Sequence, residues 1–218
     1  MINVMEETYQ DFLGEMGEDA FLEPYRAACR SVEEKLNRIN ATYSRKKGRN
    51  LICQMTYRIK TPESCLDKVI KKKCAVKRQT VQERLNDIAG IRVVCNFLDD
   101  IYQLVEILKK DEELQIITIK DYVKNPKKSG YQSLHVIVLV PVERAERKKV
   151  EIQIRTRAMN FWAVMEHYLV YKRQKGQREI LWLPAIFRAF SCHIKNREDL
   201  HSENSHDFGR TDKRKNCI

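Results

Sequence analysis

The sequence predicts an α+β fold, a mixed β-sheet of about five strands with flanking helices, in a chain of 218 residues. Three observations carry that prediction. Apolar residues alternate between helical and strand spacing in the order helix, strand, helix, strand, helix, three strands, helix. Seven glycines and five prolines are few, so the elements are long and the connections short. Finally, alternation along the segment Lys149–Thr156 sets Glu151, Gln153 and Arg155 on one strand face and Val150, Ile152 and Ile154 on the other.

Residues 4 to 40 read as helix, with Phe21, Leu22, Tyr25, Ala28, Cys29, Val32, Leu36 and Ile39 at three- and four-residue steps and Pro24 near the start of a second segment. Leu51 to Lys60 reads as a strand. Thr61-Pro62 ends it, since the residue before proline is pushed out of helical angles, while Pro62 suits the first turn of the next helix and Thr61 its N-cap. That helix runs to about Lys73, with Cys65, Leu66, Val69 and Ile70 apolar on one side. A β-branched strand follows from Ile88 to Phe97. Asp99 and Asp100 open a helix through Leu108 that closes on Lys109-Lys110, the order the helix dipole favours. Strands at Leu114–Lys120, Tyr131–Val140 and Lys148–Thr156 come next, the last two close enough to form an antiparallel hairpin. A helix from Arg157 to about Tyr171 carries Ala158, Trp162, Met165 and Leu169 as a core stripe. After Lys175 the pattern weakens, and residues 195 to 218 read as a polar tail.

Composition excludes several classes. Hydrophobic residues at 43% and charged residues at 33% place the chain among globular proteins. Val136 to Val142 is the longest apolar run, far short of the ~20 residues of a membrane span. The N-terminus has no secretory pattern, so a cytoplasmic location is expected. Seven cysteines without a C-x-x-C spacing read as reduced and mostly buried rather than as a zinc site. A net charge of +11 is concentrated at Lys68–Arg78, Lys120–Lys128 and Arg210–Lys215. Such clusters attract the phosphates of nucleotides or RNA, and each alone also suits a solvated surface.

The residues that carry chemistry converge. Arg58 and Lys60 share a face of the first strand, with Lys68 in the helix behind. Asp87 stands at the mouth of the second strand and Arg92 lies within it. Gly130-Tyr131-Gln132-Ser133-Leu134-His135 brings a ring and an imidazole beside a basic loop, and Glu151 occupies the polar face of the last strand as a metal ligand or a base. Two carboxylates ringed by Lys and Arg are what magnesium and a polyphosphate need, and Tyr131 can stack on a base. Each piece also has a structural reading. Asp87 suits a turn, Glu151 with Arg155 a surface ion pair worth at most ~1 kcal/mol, Tyr131 and His135 the core, and Glu166 with His167 a tie between helix and sheet.

Four blocks then carry a resemblance: Arg58-Ile59-Lys60-Thr61-Pro62-Glu63-Ser64, Asp87-Ile88-Ala89-Gly90-Ile91-Arg92, Ser129-Gly130-Tyr131-Gln132-Ser133-Leu134-His135 and Glu151-Ile152-Gln153-Ile154-Arg155-Thr156. In this order, between about Phe21 and Lys172, they resemble the motifs of RelA/SpoT-type alarmone synthetases, in particular the small single-domain (RelQ-like) subgroup without the hydrolase. The resemblance implies a nucleotidyltransferase-like sheet. It also implies pyrophosphate transfer from ATP to the 3′-hydroxyl of GDP or GTP, giving AMP and the stringent-response alarmones ppGpp or pppGpp. Its implied domain spans residues 1–175, with N-terminal helices at about 4–40, a catalytic sheet at about 51–157 and a closing helix at about 157–172, followed by a divergent tail at 176–218.

Carried over by motif, Arg58 and Arg92 sandwich the adenine of ATP, and Lys60, Ser64 and Lys68 contact its phosphates. Asp87 and Glu151 hold Mg2+, with Glu151 the base for the 3′-hydroxyl. Tyr131 stacks on guanine, His135 lies near the acceptor phosphates, and Gln153, Asn160, Lys120 and Lys128 complete that pocket. Gln132 stands where many small synthetases carry arginine, which leaves the preference between GDP and GTP open. Partners the resemblance implies besides the nucleotides are a homo-oligomer, tetrameric in close relatives, and the basic clusters add RNA. A different nucleotide or the 3′ end of tRNA as acceptor, and a non-catalytic RNA-binding regulator, are the rival readings.

Overall fold

A computed structural model describes residues 2–142 and 146–174, with side chains at 9–142 and 146–166. Its elements are α1 (Ile2–Gly17), α2 (Asp19–Lys47), β1 (Ile52–Ile59), α3 (Pro62–Lys71), α4 (Arg78–Arg84), β2 (Ala89–Cys95), α5 (Leu98–Lys109), β3 (Gln115–Asp121), β4 (Leu134–Pro141), β5 (Arg147–Thr156) and α6 (Arg157–Gln174). The five strands form one mixed sheet in the order β1-β2-β5-β4-β3. Only β2 and β5 run parallel; the other three pairs are antiparallel, including the expected β4–β5 hairpin.

Alternation makes one face of this sheet apolar. Ile91 and Val93 of β2, Val136 and Val138 of β4, and Val150, Ile152 and Ile154 of β5 are fully or almost fully buried there. α2 lies across β1, β2, β5 and β4, and α5 packs on β2 and β5. Phe21, Tyr25, Ala28, Cys29, Val32 and Leu36 of α2 close the core against these aliphatics. Burial of each large apolar side chain contributes about 1.5–3 kcal/mol, so this face carries most of the stability. Arg49 ties the α2–β1 loop to α5 with two hydrogen bonds, 2.7 and 2.9 Å, onto the wholly buried carboxylate of Asp100, which also accepts the Phe97 N–H at 3.2 Å.

Four sequence expectations are corrected. The helix expected over residues 4 to 40 is two helices, broken at Glu18, whose extended backbone lets Asp19 start α2; Pro24 lies inside α2. α2 runs on to Gly48, where φ of +70° ends it in the left-handed region that glycine adopts without strain. The short α4 has only Val81 buried, too few apolar positions to show a period. β4 begins at Leu134 rather than Tyr131, because Tyr131 belongs to a loop turned by Gly130 at φ +84° and closed by the Lys127 carbonyl accepting from Gly130 N–H. The pairing of Thr61 with Pro62 is as read: the Thr61 hydroxyl accepts from Ser64 N–H at 3.3 Å and Pro62 occupies the first turn. Trp162 is buried, while Leu169, His167 and the segment 176–218 fall outside the described side chains.

Candidate active site

The sheet's second face is built in rows by strand register. Arg58 on β1, Gly90 on β2, Glu151 on β5 and Ile137 on β4 form one row. Thr56, Arg92, Gln153, His135 and Lys120 form the next, across all five strands. Directly opposed residues have Cβ atoms ~5 Å apart, so each row acts as a cluster of neighbouring side chains. Gly90 has no side chain, and a small notch of about 80 Å³ opens there among Arg58, Asp87 and Glu151.

The rows floor a cavity of about 980 Å³ whose walls include Arg58, Lys68, Asp87, Arg92, Lys120, Tyr131, His135, Glu151 and Gln153. That volume lies at the upper end of the ~300–1,000 Å³ typical of small-molecule sites. Asp87 enters from the loop ahead of β2. Its Oδ2 pairs with Lys68 at 2.6 Å and Lys60 at 3.3 Å, and its buried Oδ1 has no hydrogen-bond partner among the described residues. Burial pushes the Asp87 carboxyl up, but the Lys68 hydrogen bond and the two lysine charges outweigh it and hold the group below its ordinary value. Glu151 is held low in the same way. Burial opposes, and the hydrogen bonds from His135 Nδ1 at 3.1 Å and Gln153 Nε2 at 2.7 Å outweigh it, with the charge of Asp87 acting against them. Both carboxylates are therefore ionised at neutral pH. Arg92 is shifted down by its burial and by the charges of Arg155 and Arg58, a crowd of cations that an anionic ligand would relieve.

Nine of the residues singled out from the sequence thus meet on one cavity wall, and Lys60 reaches it through Asp87. Ser64 does not line it; its hydroxyl sits at the N-terminus of α3, accepting from Thr61 Oγ1 at 3.1 Å. Lys128 is exposed and not part of the wall, and Lys127 takes that place, its ammonium over the rings of Tyr131 and Tyr122 at 4.7 and 4.9 Å. Tyr131 is nearly buried, its hydroxyl 2.9 Å from His135 Nε2. Asn160 is on α6 outside the wall, its side-chain oxygen buried without a hydrogen-bond partner among the described residues. Gln132 donates to the Val123 carbonyl at 3.4 Å.

Besides Lys127, Ala163 and Val164, three wall residues were missed or misread in the sequence. Arg155 is no surface ion pair with Glu151: the two lie on the same strand and the guanidinium, 3% exposed, bonds to Tyr131, Gln153 and Ser133. Alternation marked its face, but the loop that roofs it leaves no periodic trace. Tyr122 packs edge-on against His135 and Tyr131. Glu166 of α6 faces the same cavity.

Comparison with known proteins gives the family and the fold. Residues 57–176 match the model of the region found in RelA / SpoT proteins. The chain is 42% identical over 151 residues to the GTP pyrophosphokinase YwaC of Bacillus subtilis, covering 68% of this chain and 72% of that one. It is 39% identical over 157 residues to the GTP pyrophosphokinase YjbM of the same organism, covering 71% and 73%. Among solved structures it resembles small alarmone synthetase 1 from Bacillus subtilis bound to its product pppGpp, with a TM-score of 0.75, 32% identity and coverage of 87% and 96%. A GTP pyrophosphokinase family protein from Streptococcus pneumoniae gives a TM-score of 0.79 at 34% identity, covering 87% and 94%.

Proposed function

The chain belongs to the RelA/SpoT family, and from that premise we propose that it is a GTP pyrophosphokinase, carrying pyrophosphate from ATP to the 3′-hydroxyl of GDP or GTP. One observation supports this above the others: Asp87 and Glu151, both ionised, line one cavity otherwise walled by cations and aromatic rings. In the reaction the O3′–H bond breaks, O3′ bonds to the β-phosphorus of ATP, and AMP leaves with the oxygen that linked the α- and β-phosphorus. Glu151 takes the 3′-hydroxyl proton. Holding two polyanions together and in line makes up most of the barrier, so positioning and charge compensation are the main contributions.

On this reading Arg58 and Arg92, diagonal neighbours on β1 and β2, hold the adenine of ATP. Lys60 and Lys68 exchange their ion pairs with Asp87 for ATP phosphates, and Ser64 presents its hydroxyl at the N-terminus of α3, where phosphate is favoured. Tyr131 stacks on guanine once the Lys127 ammonium leaves its ring face for the acceptor phosphates, joined there by His135, Lys120 and Lys128. Gln153 and Asn160 shape the acceptor pocket. The donor set suits magnesium, since Asp87 presents a buried oxygen without a partner among the described residues and Glu151 faces the same cavity. When bound there by Asp87 and Glu151, magnesium would neutralise phosphate charge, using few protein carboxylates. No described helix is long and apolar enough to cross a membrane, and the proposed site of action is the cytoplasm.

The test is product analysis. The protein is incubated with labelled ATP, magnesium and one of GDP, GTP or tRNA. We expect ppGpp or pppGpp together with AMP. Label on tRNA alone would move the reaction to another acceptor, and no product with any acceptor would favour a binding protein.

A further inference from the structure

Glu151 is the end point of a closed ring of five side chains. Arg155 Nη2 donates to the Tyr131 hydroxyl at 2.6 Å and to Gln153 Oε1 at 3.0 Å. Tyr131 lies 2.9 Å from His135 Nε2, and His135 Nδ1 lies 3.1 Å from Glu151 Oε1. On the other side, Gln153 Nε2 donates to Glu151 Oε2 at 2.7 Å. Donor chemistry fixes the polarity. The ionised Glu151 carboxylate only accepts, so His135 Nδ1 donates to it; in the neutral imidazole Nε2 then accepts from the Tyr131 hydroxyl, whose oxygen accepts from Arg155. Both arms start on Arg155 and each ends on a different oxygen of Glu151.

Arg155 lines the cavity wall, and its buried Nη1 has no hydrogen-bond partner among the described residues. It is 3% exposed, and its three hydrogen bonds among the described residues go to uncharged groups, the third to Ser133 Oγ at 3.3 Å. Ser133 is wholly buried and donates to the Ile154 carbonyl at 3.2 Å, so the guanidinium is anchored to the sheet itself. A buried cation without a carboxylate partner costs stability. We propose that Arg155 is a positioning residue for the transfer: through Tyr131 and His135 on one arm and Gln153 on the other, it fixes both oxygens of Glu151 and thereby the direction in which that carboxylate meets the acceptor hydroxyl. The Tyr131 hydroxyl accordingly has a task separate from that of its ring. This rests on the reading of Glu151 as the base.

The experiment uses the full chain with ATP, magnesium and GDP, and separates kcat from KM. Tyr131→Phe keeps the ring and removes one arm; kcat should fall on the order of tenfold with KM for GDP within about twofold. Arg155→Met removes both arms and should lower kcat by about 10²-fold, again without a matching rise in KM. The double variant Tyr131→Phe/Arg155→Met should be no slower than Arg155→Met alone, since the arm lost first is part of what the second change removes. A measurement without turnover goes with these: 15N NMR of the wild type should show His135 as the Nδ1–H tautomer, and Tyr131→Phe should shift that balance. Arg155→Met at wild-type kcat, losses that multiply in the double variant, or an Nε2–H tautomer in the wild type would each overturn the proposal. If Arg155→Met does not fold, Tyr131→Phe and Gln153→Leu, one arm each, carry the same test. Glu151→Gln distinguishes the two levels: full activity in that variant removes the base itself, whereas its loss beside an unaffected Arg155→Met removes only the positioning role.

Discussion

The two faces of β5 are built on opposite principles. Val150, Ile152 and Ile154 are buried under α2 among aliphatic side chains, and their work is done by excluding water. Of the residues interleaved with them, Arg155 is buried while Glu151 and Gln153 are partly exposed to the cavity, and the three are hydrogen-bonded to one another and to Tyr131 and His135. Val94, Tyr131, Ile137 and Trp162 are buried on that side apart from the main core. One face is non-directional and tolerant of repacking; the other is directional, held by hydrogen bonds between named side chains. Stability and chemistry are thus divided between alternate residues of a single strand.

Substitutions on the two faces should separate these properties. Ile152→Ala is expected to cost about 2–5 kcal/mol of stability through the cavity it leaves, measured by denaturant unfolding. Turnover per folded molecule should stay near wild type at a temperature where the variant is folded; a loss of activity beyond the unfolded fraction would show that the faces are coupled. Tyr131→Ala, unlike Tyr131→Phe, removes the ring as well and should raise KM for GDP more than KM for ATP, compared by steady-state kinetics. A selective rise for ATP would contradict the assignment of Tyr131 to the acceptor.

Protonation gives a finer probe. Asp87 is held below its ordinary value, so its contribution to stability is present above the unfolded carboxylate value near ~4 and is lost as pH falls through the lower folded value. Lys68→Met leaves burial with only Lys60 against it, which moves the Asp87 carboxyl up. The acid-side loss of both stability and activity should then begin at higher pH than in the wild type, as read by thermal melting across pH 3–6 and by a pH–rate profile, a window spanning ordinary carboxylate values. An unshifted acid limb would mean that Lys68 does not govern Asp87. The smallest effect expected is that of Lys128→Ala, a several-fold change at most, against a larger rise in KM for GDP from Lys127→Ala, since Lys127 is the lysine over the Tyr131 ring.

The same division explains what could be read from the sequence. The succession of strands was legible from β-branched and alternating runs such as that of β5, and Asp87, Arg92, Glu151 and Gln153 were legible because they fall in motif blocks. Arg155 shares that alternation, yet nothing local says that Tyr131 roofs it, so it reads as a surface charge. Lys127 and Lys128 differ only in the turn that Gly130 makes, which no periodicity records. Ser64 is equally a cap neighbour and a phosphate contact on sequence grounds, and its hydrogen bond to Thr61 belongs to the first role. The break at Glu18 was hidden because α1 and α2 continue one another with apolar residues on both sides of it.

The central claim is that the carboxylate of Glu151 serves the transfer and not the fold. Turnover and melting temperature of Glu151→Gln, measured side by side with the wild type, test it most directly. The expected result is a fall in kcat of roughly 10²-fold or more, the scale of one lost preorganised group, with melting temperature essentially retained. Turnover within a few-fold of the wild type in a folded Glu151→Gln variant would contradict it.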